Sequence, residues 1–162
     1  MSNMQINRII FVSNSDTDKG PMAAAALSSC ALTKPYEILS RGLVVLFPEP
    51  LNEKAEAVLV SNGIAKTDFH SSAISEDDFT EDTLVVALSG EIYDTLLSRY
   101  SQHSSSIRTL EELIKTPVAY ETLHGLELPA YGQCYEEMIR DMGALASYLN
   151  ERMKENERQQ EI

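Results

Sequence analysis

Basic side chains are scarce in this chain: 13 Lys and Arg stand against 25 Asp and Glu in 162 residues, a formal charge of −12, and the pI is near 4.6. So acidic a surface repels phosphate backbones and anionic headgroups, which excludes nucleic acid and membrane surfaces as main partners. Cysteine is scarcer still. Cys30 and Cys134 lie far apart without CxxC spacing, so neither a disulfide framework nor a zinc site follows, and both read as buried thiols in a reducing cytosol. No apolar run approaches a membrane span, and Met1–Asn7 is polar where a secretion leader would be apolar; a cytoplasmic location is the expectation. His70 and His103 have no partner pattern, and there is no repeat, low-complexity linker or cofactor motif. One domain over 1–162 is expected, structured over about 6–155 with a frayed tail at 155–162, long enough for a core without metal or disulfide help.

What the chain does have is an alternation of buried strands and helices. Arg8–Val12 and Thr83–Leu88 are continuous β-rich apolar runs, which predicts central strands covered on both faces. Tyr36–Ser40 reads as another strand and Ile107–Leu110 as a short edge strand. Pro21 suits a first helical turn, and that helix is expected to reach about Leu32. Asn52 can cap a helix ended by Gly63, Ser75 and Asp78 have capping-box spacing, and Glu91–Tyr100 presents Ile92 and Leu96 on one face. In a last helix, about Pro129–Lys154, Cys134, Met138, Met142, Leu145, Leu149 and Met153 form a core stripe rather than a cofactor box. This order calls for a parallel sheet with helices on both faces, with ligands bound beyond the carboxyl ends of the strands. The loop Ser13–Gly20 lies there.

A strand, a tight loop and a helix start normally hold an anion, yet this loop carries Asp16 and Asp18 beside a single cation, Lys19. Calcium is a poor explanation. Asn14, Asp16 and Asp18 alternate as in an EF-hand loop, but the turn glycine comes one residue late, at Gly20, and Ala25 stands where the bidentate acid is required. The string "VSNSDTDKGPMA" instead resembles the signature V-C-x5-R-[ST]-P-M-A of the low-molecular-weight protein tyrosine phosphatases. "LSRGL", "PLNEKAEAVLVSNGI" and "SEDDFTEDTLVVAL" are similar to further segments of that family, so the resemblance covers roughly residues 6–155. It implies a three-layer α/β sandwich of the flavodoxin-like type, with a four-stranded parallel sheet and an anion-binding loop formed by Ser13, Asn14, Ser15, Asp16, Thr17, Asp18, Lys19 and Gly20.

The same resemblance places Ser13 where the family has its nucleophilic cysteine, Lys19 where it has the phosphate-clamping arginine, Gly20 at a serine and Asp16 at a structural asparagine. Thr122 falls at the general-acid aspartate, with Glu121, His124 and Glu127 nearby. A serine hydroxyl does not ionise as a thiol does, and the sequence offers it no base. Lysine replaces a two-pronged clamp with a point charge, and two aspartates against one lysine leave the loop at −1. Unit charges about 4 Å apart repel by about 1 kcal/mol in water and about 4 at an effective dielectric near 20. The expectation is a pseudophosphatase that binds phosphate, sulfate or a protein partner, without cofactor, as a monomer or weak homodimer. The alternatives are an active phosphatase using Ser13 or water, and a metal site built on Asp16, Asp18 and Ser13.

Overall fold

Ile9 to Val12 are wholly buried because the strand they form is covered on both sides. In the computed structural model, which describes residues 4–160, this is β1 (Arg8–Ser13). It is followed by α1 (Lys19–Ser28), β2 (Glu37–Gly42), α2 (Glu53–Ser61), β3 (Thr83–Ala87), α3 (Gly90–Arg99), β4 (Ile107–Thr109), α4 (Leu110–Ile114) and α5 (Leu128–Gln160), with short 3₁₀ turns at Glu76–Asp78 and Ser101–Ser106. The sheet order is β2-β1-β3-β4 and every pairing is parallel. The expected four-stranded parallel architecture is therefore present. Alternate residues of β1 enter two cores. Ile9 and Phe11 pack with α1, α2, α4 and α5, while Ile10 and Val12 pack with Ile92, Leu96 and Ile107. From β1 the chain crosses first to β2 on one side and later to β3 on the other, which makes the carboxyl end of β1 the switch point of the sheet.

Several boundaries differ from the sequence expectation. Helix α1 stops at Ser28, short of Leu32, where the Ser28 and Ser29 hydroxyls bond back to the carbonyls of Ala24 and Ala25 and Pro35 lies ahead. Strand β2 runs on to Gly42, past Ser40, because Gly42 also bonds the segment after it, donating to Ser72 O and accepting from Ile74 N at 2.9 Å each. Leu110 opens α4 rather than ending β4. Helix α5 continues past Lys154 to Gln160, so the tail expected to fray is helical that far. Lys154–Glu151 and Arg158–Glu155 pairs one turn apart lie along that stretch, a spacing that supports helix in water.

The stripe on α5 is buried from Cys134 to Leu149, with Met153 half-buried. Asn52 caps α2 by accepting from Lys54 N and Ala55 N. Asp78 accepts from Ser75 N at 3.0 Å and pairs with both Arg8 and Arg41, tying the 3₁₀ turn to the first two strands. No helix among the described residues is long and apolar enough to cross a membrane.

Candidate functional site

The loop Ser13–Gly20 is held from outside. Leu43 N donates to Ser13 O and Val44 N to Asn14 O at 3.0 Å each, and Asn52 N donates to Thr17 O at 2.9 Å. Ser72 N donates to Asp16 Oδ2 at 2.9 Å. Gly42 makes the closest approach: a Cβ there would stand 2.9 Å from Ser15 C and 2.8 Å from Val45 Cγ2, so only glycine lets β2 and the loop meet. Arg99 of α3 in turn fixes the segment after Gly42 by donating to Leu43 O at 2.9 Å.

With its carbonyls tied back, the loop keeps its amides. Asp16 N donates to Ser13 Oγ at 3.2 Å and Lys19 N to Asp18 Oδ1 at 2.5 Å. Among the described residues, the amides of Asn14, Ser15, Thr17 and Asp18 have no hydrogen-bond partner. The hydroxyls of Ser15 and Thr17 bond each other at 2.8 Å.

The two aspartates serve different ends. Asp16 is fully buried with φ of +60°, a left-handed conformation that Asn and Asp adopt more readily than most side chains. Its carboxylate takes the Ser72 amide and lies in the field of Arg41 on β2. Burial is the largest influence and pushes its pKa up from 3.8 to about 6, against the Ser40 hydroxyl, the Ser72 amide and Arg41, which act the other way. Asp18 instead caps α1 through the Lys19 amide, placing the chain's own carboxylate at the helix start. Among the described residues no group of three or more His, Cys, Asp or Glu side chains is placed to hold a metal, and Asp16 and Asp18 bond different amides, those of Ser72 and Lys19.

Of the remaining candidate residues, Lys19 and Glu121 act on α5. Ser13 is 2% exposed and Lys19 half-buried. The charges of Lys19, Asp18 and Glu121 all reach Cys134, whose thiol burial, the dominant cause, raises to about 12; it stays protonated. Thr122 is exposed on the irregular segment between α4 and α5, and among the described residues it makes no hydrogen bond to the loop. That segment is pinned by Tyr120, whose hydroxyl donates to the buried Asp141 at 2.7 Å. Glu121, rather than Thr122, is the acid of the segment whose field reaches this side of α5.

Sequence reasoning missed three contributors. Arg41 and Ser72 brace Asp16 from 25 and 56 residues further along the chain, Arg41 through its charge and Ser72 through its amide. Lys54 bonds Leu126 O and lies 5.9 Å from the ring centre of Tyr131, a buried residue that feels Asp18 and Asn52. No local pattern announces such contacts. Beside the loop, Val44, Leu46 and Phe47 are 58%, 88% and 65% exposed.

Solved structures share this architecture. A low molecular weight protein tyrosine phosphatase from T. tengcongensis is 27% identical with a TM-score of 0.79, over 86% of this chain and 97% of that one. The YwlE arginine phosphatase of Geobacillus stearothermophilus is 24% identical with a TM-score of 0.82, over 92% and 96%. A cysteine-to-serine mutant of YwlE arginine phosphatase, with a phosphorylated active site serine, is 25% identical with a TM-score of 0.80, over 88% and 95%. No curated protein sequence matches the chain. The family model described as low molecular weight phosphotyrosine protein phosphatase matches residues 8–159, and the chain belongs to that family.

Proposed function

We propose that this family member is a pseudophosphatase, which recognises a phosphoryl-type anion at Ser13–Gly20 and does not turn it over. The observation that carries the reading is the set of unpartnered amides at Asn14, Ser15, Thr17 and Asp18, since successive free N–H groups ahead of a helix attract an anion. Against turnover stand three side chains. Ser13 is a neutral hydroxyl, Lys19 lacks the two-pronged fork of a guanidinium, and the Thr122 hydroxyl is too weakly acidic to protonate a leaving phenoxide. The exposed Val44, Leu46 and Phe47 beside the loop suit an anion presented on a protein segment. Two unpaired thiols, Cys30 and Cys134, suit a reducing cytoplasm.

The test has two arms. Hydrolysis of p-nitrophenyl phosphate by the protein is expected to match that of Ser13→Ala, and inorganic phosphate is expected to shift the amide resonances of residues 14–18. Turnover that Ser13→Ala abolishes would refute the reading.

A second reading has one observation behind it. The serine-bearing YwlE mutant has a phosphorylated active site serine, and Ser13 stands at the position of the family's cysteine. Ser13 is then a phosphoryl acceptor that reacts once and holds the group.

A further inference from the structure

A serine needs somewhere to put its proton before it can attack phosphorus. Three facts about the loop bear on this. Ser13 Oγ accepts from Asp16 N, but its own O–H has no acceptor among the described residues. Asp16 Oδ1 is buried and has no hydrogen bond of ordinary geometry, the Ser40 hydroxyl being the side-chain donor that acts on this carboxylate; a poorly satisfied buried carboxylate oxygen is costly. Gly20 has no side chain, and a Cβ there would stand 2.9 Å from Ser13 Oγ and 3.5 Å from Asp16 Oδ1. A donor without an acceptor and a poorly satisfied acceptor thus border the same gap.

We propose that Asp16 is the base that takes the Ser13 proton across the Gly20 gap when Ser13 accepts a phosphoryl group from an acyl phosphate. The proposal rests on the phosphoryl-acceptor reading above and supplies its base and its donor class. The donor follows from leaving-group chemistry. Thr122, at the general-acid position, is too weakly acidic to protonate a departing alkoxide or phenoxide, so the step suits a leaving group that departs as a stable anion, and the carboxylate of an acyl phosphate does. In the step, the Ser13 Oγ–P bond forms as the P–O bond to the acyl group breaks. The electron pair leaves with the carboxylate and the hydroxyl proton passes to Asp16; nothing is oxidised or reduced. Protonation of Asp16 also removes a negative charge from beneath the incoming phosphoryl group.

The surroundings favour a base that works near neutrality. Arg41 on β2 is the charged side chain facing Asp16, and it is itself held by Asp78 Oδ1 at 3.3 Å. Ser40 and Ser72 add a hydroxyl and an amide, and Asp18 and Lys19 act on Tyr131 and Cys134 of α5. Burial has raised Asp16 to about 6, within the range that suits a general base at cellular pH.

The experiment treats the full chain with acetyl phosphate and follows intact mass and the modified peptide from pH 5 to 8. Expected is one phosphoryl group on Ser13, acquired faster as pH rises through about 6. Asp16→Asn keeps an oxygen for the Ser72 amide and tolerates the left-handed backbone; it is expected to react about a hundredfold more slowly with a flat pH profile. Gly20→Ala, which fills the gap and leaves Asp16 intact, is expected to slow as well. Asp16→Asn or Gly20→Ala matching the unaltered protein in rate and pH profile, or Ser13→Ala modified as fast, would overturn the proposal. If nothing is modified while inorganic phosphate still shifts the loop amides, this proposal and the acceptor reading both fall and the anion-site reading stands.

Discussion

Because burial lifts the Asp16 carboxyl from 3.8 to about 6, the folded chain holds a proton there that the unfolded chain has already released. The stability this contributes is complete below about pH 4 and is lost as pH rises through 6, a change of roughly 3 kcal/mol. Asp16→Asn should therefore melt higher than the unaltered protein at pH 7.5, with the gap closing by pH 4, as thermal unfolding at the two pH values would read. Asp18 predicts the opposite kind of gain. Its carboxylate occupies the first amide of α1, so Asp18→Asn should tighten inorganic phosphate about tenfold by isothermal titration, or ~1.4 kcal/mol. At this scale the sequence was informative about identity and poor about environment. That Ser13, Asp16 and Lys19 share a loop could be read from one string. That Asp16 is buried with a poorly satisfied oxygen facing Gly20 could not, since it depends on β2 and on Ser72, far along the chain.

The elements were easier to read where burial and period agreed. The apolar runs of β1 and β3 and the 3.6-residue stripe of α5 announce themselves, because strands covered on both faces and helices covered on one leave periodic records. Boundaries were harder. Serine hydroxyls end α1 early by competing for its carbonyls, and charge pairs on exposed faces carry α5 beyond its last core contact. The contact most specific to this site is also an element contact, the approach of Gly42 to Ser15 and Asp16. Gly42→Ala should cost about 1–3 kcal/mol, as overpacking does, and should weaken phosphate binding in the same variant. Denaturant melts and titration would check the two effects together. Asn52→Ala removes the cap of α2 and should cost about 1 kcal/mol in the same melts.

Across the whole molecule the excess of 25 acidic over 13 basic side chains opposes folding by self-repulsion. Raising sodium chloride from about 10 to 150 mM shortens the screening length from roughly 30 to 8 Å, so the melting temperature should rise over that range at pH 7.5. A fall would show that local ion pairs, such as Arg8 and Arg41 on Asp78, outweigh the global field. The scaffolding of Ser13–Gly20 has a wider consequence. Its curvature is imposed by Leu43, Val44, Asn52 and Ser72, none of which a reaction needs, so the outline and the reactivity of the cradle are separately encoded. Such a mould tolerates exchange of its working parts, and lineages can repurpose it, or engineers re-equip it, by altering a few side chains and leaving the backbone untouched.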